Sequence, residues 1–274
     1  MRVVTEPEAL PAPTARRGFV PTMGALHAGH LSLVEAAQAR SDETVVSIFV
    51  NPTQFRPGED FDRYPRPHDE DLAKCEAAGV DYVFMPSVER MYPRGQDAVR
   101  IHVGSVGDRW EGEARPGHFD GVATVVTQLM LMVRPSLAVF SVKDLQQCAV
   151  IEKLLTSLEL GVELHLAPTL REPDGLAMSS RNRYLSPGAR AVAPQLYQAL
   201  TMAKERLASS KESDASNRLK EAASTLDSMF DLQYFSVVNR VSMEPAPPSE
   251  DDAWLMTAAR LDGTRLIDNI CLHG

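Results

Sequence analysis

Short β-branched and aromatic runs alternate with helix-period segments from about residue 18 to residue 167, and this alternation constrains the fold more than any other feature. The strand candidates are 18–20, 44–50, 81–85, 137–140 and 162–167. The helix candidates among them are 30–40, 69–78, 121–133 and 145–158. In the first helix, Leu31, Val34 and Ala37 recur every three residues beside polar Ser32, Glu35 and Gln38, which makes one apolar face. Strands separated by helices line up in parallel, with the helices covering both faces of the sheet. Such sheets bind ligands beyond the carboxyl ends of their strands. Residues 86–118 break the alternation and read as an insertion forming a loop-rich lobe. After about Pro168 the pattern changes to helical stretches at 187–209 and 214–230, joined by a polar Ser/Lys/Glu segment. A strand at 234–239, a turn rich in Pro245, Pro247 and Pro248, and strands at 254–259 and 264–270 follow. That order predicts a small α+β domain with its boundary at 168–175.

The chain of 274 residues is long enough for about two domains and for a core without disulfide or metal staples. With 28 Lys plus Arg against 37 Asp plus Glu, the net charge is −9, which disfavours general nucleic-acid binding. Glu6, Pro7, Glu8, Pro11 and Pro13 interrupt any signal-peptide core in the first 13 residues. The most apolar stretch, 122–133, is too short to span a bilayer. Cys75, Cys148 and Cys271 are odd in number and far apart, which argues against a disulfide framework or a cysteine zinc site. A soluble cytoplasmic protein is expected.

The chemistry-bearing residues sit at the ends of the strand candidates. Pro21-Thr22-Met23-Gly24-Ala25-Leu26-His27-Ala28-Gly29-His30 joins the first strand to the first helix. Backbone N–H groups and the helix dipole favour an anion at such a turn, and Gly24 and Gly29 let the backbone approach a ligand closely. His27 and His30, three apart, point to one side of a first helical turn. Two imidazoles there can donate to phosphoryl oxygens and stabilise developing charge. The same spacing fits a helix cap, or a zinc pair, although zinc wants three or four protein ligands and none follow at tight spacing.

Three further segments are candidates. Glu172-Pro173-Asp174-Gly175-Leu176-Ala177-Met178-Ser179-Ser180-Arg181-Asn182 sets two hydroxyls beside an arginine. That suits a loop closing over a triphosphate, and also a solvated hinge with a helix N-cap. Lys143-Asp144, with Gln146 and Gln147, follows the 137–140 strand directly, so Lys143 either enters the same crevice as the histidines or is an ordinary charged helix start. Asn51-Pro52-Thr53-Gln54-Phe55 ends the second strand, where an amide can position a hydroxyl or carboxylate of a small substrate.

Together these four segments resemble the pantoate–β-alanine ligase family. Arg115-Pro116-Gly117-His118-Phe119-Asp120-Gly121-Val122 and Leu266-Ile267-Asp268-Asn269-Ile270 match it too, and the likeness runs in order over nearly the whole chain. The resemblance implies an α/β fold: a Rossmann-like parallel-sheet domain binding ATP and pantoate at residues 1–169, and a smaller C-terminal α+β lid domain at 170–274. It implies a homodimer acting on pantoate and β-alanine, with ATP and Mg²⁺, and without nucleic acid or membrane. Pantoate would be activated as an adenylate and then transferred to β-alanine, with release of pyrophosphate and AMP.

The resemblance also assigns residues. Met23, Gly24, Ala25, Leu26, His27, Ala28, Gly29 and His30 would line the ATP site, together with Ser141, Val142, Lys143, Asp144, Leu170, Met178, Ser179, Ser180 and Arg181. The catalytic groups would be His30 as an acid, His27 as a phosphate contact, and Lys143 and Arg181 as phosphate holders. Gln54 and Gln147 would grip pantoate. Mg²⁺ would neutralise the outgoing pyrophosphate rather than sit in a protein cage. Asp69 and Asp71 read as a solvated acidic helix start, with orientation of magnesium-bound waters as the alternative. The family's usual Phe-Gly-Glu-Lys-Asp-Tyr-Gln-Gln is here Phe140-Ser141-Val142-Lys143-Asp144-Leu145-Gln146-Gln147, a departure that bears on ATP affinity. A nucleotidyltransferase of the same fold is the nearest alternative, and would carry an Arg or Lys cluster in place of Gln54 and Gln147. A silent nucleotide-binding relative is the third reading.

Overall fold

The structure is a computed structural model and describes residues 1–95, 98–208 and 212–273. In chain order the strands are β1 (Arg2–Val4), β2 (Arg17–Thr22), β3 (Glu43–Ile48), β4 (Tyr82–Phe84), β5 (Leu137–Ser141), β6 (Glu163–Ala167), β7 (Phe230–Asn239), β8 (Ala253–Leu261) and β9 (Thr264–Cys271). The helices are α1 (Ala28–Gln38), α2 (His68–Ala77), α3 (Val88–Met91), α4 (Glu111–Ala114), α5 (His118–Val133), α6 (Leu145–Ser157), α7 (Pro187–Val192), α8 (Gln195–Ala208) and α9 (Ala215–Ala223). Two compact units result: Met1–Ser141 with Val150–Ala167, and Val142–Ala149 with Pro168–Gly274.

The first unit is built on a six-stranded sheet in the order β1-β4-β3-β2-β5-β6, parallel throughout. Chain direction across the sheet reverses beside β2, since β3 lies on one side of it and β5 on the other. Ligands bind at such a switch point in open α/β sheets. Thr22 is in register with Ile48, so the turns leaving β2 and β3 emerge side by side at one edge. Val20, Val46, Val83, Leu137 and Val139 of the sheet pack with Leu33, Val34 and Ala37 of α1 and Cys75 of α2. Full burial of each such aliphatic side chain is worth about 1.5–3 kcal/mol, which fixes the register of α1 on the sheet.

Several elements differ from the sequence expectation. β1 carries no strand signal of its own; three residues become a strand because they pair with β4. β3 stops at Ile48, two residues before its expected end, as Phe49 N–H turns to the Thr22 carbonyl (3.1 Å). α5 starts at His118 rather than 121, because Gly117 adopts φ +81 and turns the chain into the helix. The insertion is loop-rich as expected, and its described residues include α3, α4 and a 3₁₀ turn at Gly104–Gly107.

In the second unit β7, β8 and β9 form an antiparallel sheet in sequence order. α8 packs on β8 and β9, and α9 on α8 and β7. The expected helix 187–209 is two helices, broken before Pro194, which has no N–H to continue the ladder. Its last residue Ser209, with Ser210 and Lys211 of the polar segment, lies outside the described residues. The expected helix 214–230 ends at Ala223, and Phe230 already belongs to β7.

Candidate active site

The turn after β2 is held open by a carboxylate from α2. Asp71, fully buried, accepts the Ala25 N–H through Oδ2 and the Leu26 N–H through Oδ1, each at 2.7 Å. Lys74, one helical turn on, donates to the Leu26 carbonyl (2.9 Å). Gly24 has φ +81, and a Cβ there would stand 2.9 Å from Asp71 Oδ2 and 3.0 Å from Ile48 Cγ2, so glycine is required. The solvated reading of Asp71 is therefore corrected. The chain folds it inward because two buried backbone donors would otherwise go unmet. Asp69 is exposed, as expected.

His27 is the N-cap of α1. Its Nδ1 accepts the Gly29 N–H (3.1 Å), and His30 Nδ1 reaches back to accept the His27 N–H (3.3 Å). The two rings lie with centroids 4.1 Å apart and planes at 38°. Capping is thus real, and it does not exclude chemistry. A neutral imidazole that accepts at Nδ1 carries its proton at Nε2, which is then a donor. Among the described residues no group of three or more His, Cys, Asp or Glu could hold a metal ion, so the zinc-pair reading gains no support.

Beside this turn, at the end of β3, Gln54 is locked from several directions. Its Oε1 accepts from Asn51 Nδ2 (3.0 Å), and its Nε2 donates to Met23 Sδ (3.2 Å), which joins the first and fourth sequence candidates. Asn51 is itself buried and accepts at Oδ1 from Tyr92 Oη (2.7 Å) and Thr53 Oγ1 (3.0 Å). The Gln54 carbonyl accepts from Arg115 Nη2 (3.2 Å) and His118 Nδ1 (2.8 Å). Arg115 also clamps Glu59 through Nε (3.1 Å) and Nη2 (2.7 Å) and donates Nη1 to His118 Nε2 (3.0 Å). Burial, reinforced by the Arg115 charge, pushes the His118 imidazole down to about 4, so it is neutral at pH 7. For Glu59, burial opposes ionisation but the Arg115 hydrogen bonds and charge outweigh it and lower the carboxyl. Gly121 completes the cradle, since a Cβ there would stand 2.4 Å from the Thr53 carbonyl oxygen.

The other sequence-predicted residues belong to, or border, the second unit. Ser141 ends β5 opposite Ala167, and Val142–Asp144 form a 3₁₀ turn leading into α6. Lys143 Nζ lies 3.5 Å from Asp144 Oδ1. Leu145, where the family has tyrosine, is buried, and Gln147 on α6 is half-buried. Leu170 and Met178 face each other across a short hairpin, where Met178 N–H donates to the Leu170 carbonyl (3.0 Å) and Arg171 bridges with Ala177. Ser179 caps the 3₁₀ turn Ser180–Tyr184, accepting the Arg181 N–H (3.2 Å), and Ser180 and Arg181 are half-buried.

Sequence reasoning assigned no role to Tyr92, Glu59, Arg115 or His118, nor to Asn269, whose Nδ2 donates to the Val142 and Lys143 carbonyls (2.9 Å each). Arg115, His118 and Asn269 were visible only as parts of matching segments. For Asp71 a signal existed: it lies four residues before Cys75, on the helix face that carries a core residue.

A parallel sheet whose strand order reverses beside β2, followed by a His-x-Gly-His turn, places the chain in the class of Rossmann-like α/β proteins. Within that class the chain belongs to the pantoate–β-alanine ligase family, whose model, described as Pantoate-beta-alanine ligase, matches residues 3–271. A pantothenate synthetase of Alcanivorax borkumensis is 47% identical over 255 residues, covering 93% of this chain and 90% of that protein. Among solved structures, pantothenate synthetase from Thermus thermophilus shares 44% identity at a TM-score of 0.94, with all of both chains covered. Pantoate-β-alanine ligase from Francisella tularensis, complexed with beta-gamma ATP and β-alanine, shares 31% identity at a TM-score of 0.81, covering 100% of this chain and 98% of that one. No described helix is long and apolar enough to cross a membrane.

Proposed function

We propose that this chain joins pantoate to β-alanine at the expense of ATP. A pantoate carboxylate oxygen attacks the α-phosphorus, the bond to the bridging oxygen breaks, and pyrophosphate leaves. The β-alanine amine then attacks the acyl carbon of pantoyl adenylate, loses a proton, and expels AMP. The observation that carries this reading is the reciprocal His27–His30 cap, which sets two Nε2–H donors at a helix N-terminus beside the locked Gln54. In-line attack builds charge on the phosphate oxygens, and donors fixed in advance stabilise it better than water does.

In this reading His30 and His27 contact the reacting phosphate as neutral donors. Met23, Gly24, Ala25, Leu26, Ala28 and Gly29 line the nucleotide, and the buried Asp71 keeps that turn open. Lys143, Ser180 and Arg181 hold phosphates, and Ser141, Val142, Asp144, Leu170, Met178 and Ser179 line the rest of the nucleotide site. Gln54 and Gln147 grip pantoate. Magnesium enters with the nucleotide, as part of the substrate. Asp71 takes no part in holding it in this reading, since its carboxylate is already committed to backbone donors. Residues 1–169 act as the nucleotide- and pantoate-binding domain and 170–274 as a lid that excludes water from the acyl adenylate. A homodimer, which the family resemblance implies, and a cytoplasmic location complete the proposal.

The test is a product assay with ATP, pantoate and β-alanine. AMP released only when both acceptors are present is expected. ADP, or no turnover, would overturn the reading. In single-turnover measurements, His30→Ala and His27→Ala should slow adenylation by about 100-fold or more, on the scale of lost oxyanion donors. Parental rates in either variant would leave that histidine as a cap only.

A further inference from the structure

The turn that carries Lys143 is held from the far end of the chain. Asn269, buried on β9, donates both Nδ2 protons to consecutive carbonyls, those of Val142 and Lys143, at 2.9 Å each. These bonds are not needed to start α6. The orphan groups at a helix N-terminus are N–H donors, whereas its first carbonyls already point along the helix to accept. A single amide holding two successive carbonyls instead fixes two peptide planes, and those planes set the direction in which the Lys143 side chain leaves the backbone. Asn269 Oδ1 is buried with no hydrogen-bond partner among the described residues. Folding tolerates that unmet acceptor, which fits an amide placed for its donors.

The amide is itself braced. Asp268 Oδ1 accepts the Asn269 N–H (2.7 Å), and Arg171 grips Asp268 through Nη1 (2.7 Å) and Nη2 (2.9 Å) while donating to the Asn269 carbonyl (3.2 Å). The Arg171 guanidinium lies 3.5 Å from the centroid of the Tyr197 ring, so it cannot swing away without losing that contact.

We propose that Asn269 is a positioning residue for Lys143 in the adenylation step, held in place by the Asp268–Arg171 pair. It touches no reacting atom and acts through the lysine. The inference rests on the ligase reading, in which Lys143 serves phosphates. Phosphates leave as pyrophosphate after the first step, so the second step should not need the lysine's aim.

The experiment compares the parent, Asn269→Ala, Lys143→Ala and the double variant in two half-reactions: pyrophosphate release with ATP and pantoate, and transfer from preformed pantoyl adenylate to β-alanine. Asn269→Ala should slow the first by about tenfold or more and leave the second within about twofold. Combined with Lys143→Ala it should add little, because coupled residues are non-additive. A merely structural role would slow both half-reactions alike and combine additively, and either result would overturn the inference alone. A parent that releases no pyrophosphate with pantoate overturns the ligase reading and this inference with it. If Asn269→Ala does not fold, Asn269→Ser, which keeps one donor, is read in the same assays. Failure of both variants to fold would mean that Asn269 holds the fold rather than the lysine, and would also overturn the proposal.

Discussion

Asp71 and Asp268 are both buried carboxylates that brace a turn for which ATP binding is proposed, yet their oxygens are satisfied in different ways. Asp71, from α2, meets two uncharged backbone donors, the N–H groups of Ala25 and Leu26. Asp268, from β9, meets a guanidinium on the hairpin that follows β6. A side-chain partner can be exchanged for something else, but a backbone N–H cannot. The first turn therefore demands an acceptor at position 71, whereas the second needs only that charges be present or absent together.

The largest expected effect breaks the second brace on one side. Arg171→Met leaves the Asp268 carboxylate almost fully buried without its counter-charge, and loss of one partner of a buried pair costs about 3–5 kcal/mol. Burial already pushes the Asp268 carboxyl up, with Arg171 the main opposing influence, so the variant should gain a proton there as it loses stability. Arg171→Met combined with Asp268→Leu should recover most of the loss, as matched apolar replacements of buried pairs often do. Urea denaturation of the three proteins checks this. A double variant no more stable than the single one would mean that packing on Tyr197, rather than charge pairing, sets the cost.

Asp71→Ala comes next, at about 2–4 kcal/mol, since two buried donors lose their acceptor. No second substitution should rescue it. Asp71→Asn should fare little better, because one amide oxygen must replace two and the NH₂ group faces donors. Adenylation should fall by about tenfold or more in both variants as Gly24–Leu26 relaxes. A compensating side-chain change that restored stability would erase the contrast with Asp268.

The same contrast explains what the sequence could and could not disclose. Strand and helix alternation was legible because burial imposes its period locally, as in Leu31, Val34 and Ala37 of α1. The His27–His30 turn was legible because both partners lie within one helical turn. β1 escaped because a three-residue edge strand has no period. Asp71 was misread because its neighbours Asp69 and Glu70 are exposed, so the local pattern says solvent while its partners lie 45 and 46 residues away. The Gln54 cradle depends on Arg115 and His118, more than 60 residues on, and the Lys143 brace on Asn269, 126 residues on. Such supports leave no mark in spacing. The break before Pro194 could have been read from the proline itself.

His118 adds a third kind of buried group, one kept neutral, and it gives the comparison a pH axis. Its ordinary value is 6.5 and burial, with Arg115, lowers it to about 4. The unfolded chain therefore binds a proton that the folded chain refuses. The stability from the neutral ring is fully present above about 6.5 and is lost as pH falls from there through about 4, to a limit of about 3 kcal/mol. His118→Gln keeps a donor toward the Gln54 carbonyl and an acceptor toward Arg115, without a titratable proton. Denaturation midpoints at pH 7 and pH 4.5 should converge in the variant relative to the parent. Parallel pH profiles would show that the cradle opens to admit the charge.

The smallest effect concerns the departure at Ser141 and Val142, next to the brace from Asn269. A serine at the end of β5 carries a Cβ and a hydroxyl where the family has glycine, which restricts backbone approach to a nucleotide. Val142 replaces an acid, but its carbonyl is held by Asn269 whatever the side chain is. The turn should therefore keep its course when position 142 changes, and Lys143 should keep its aim. Adding Ser141→Gly and Val142→Glu together should tighten ATP binding by less than about tenfold, from relieved approach rather than a new contact. The adenylation rate at saturating ATP should stay within about twofold of the parent, because the groups proposed to act on the reacting phosphate, His27, His30, Lys143 and Arg181, are unchanged. Calorimetric ATP titration of the parent and the double variant measures the first quantity, and single-turnover kinetics the second. A rate change without an affinity change would show that the side chain at 142 steers Lys143 directly, and that Asn269 does not fix the turn by itself.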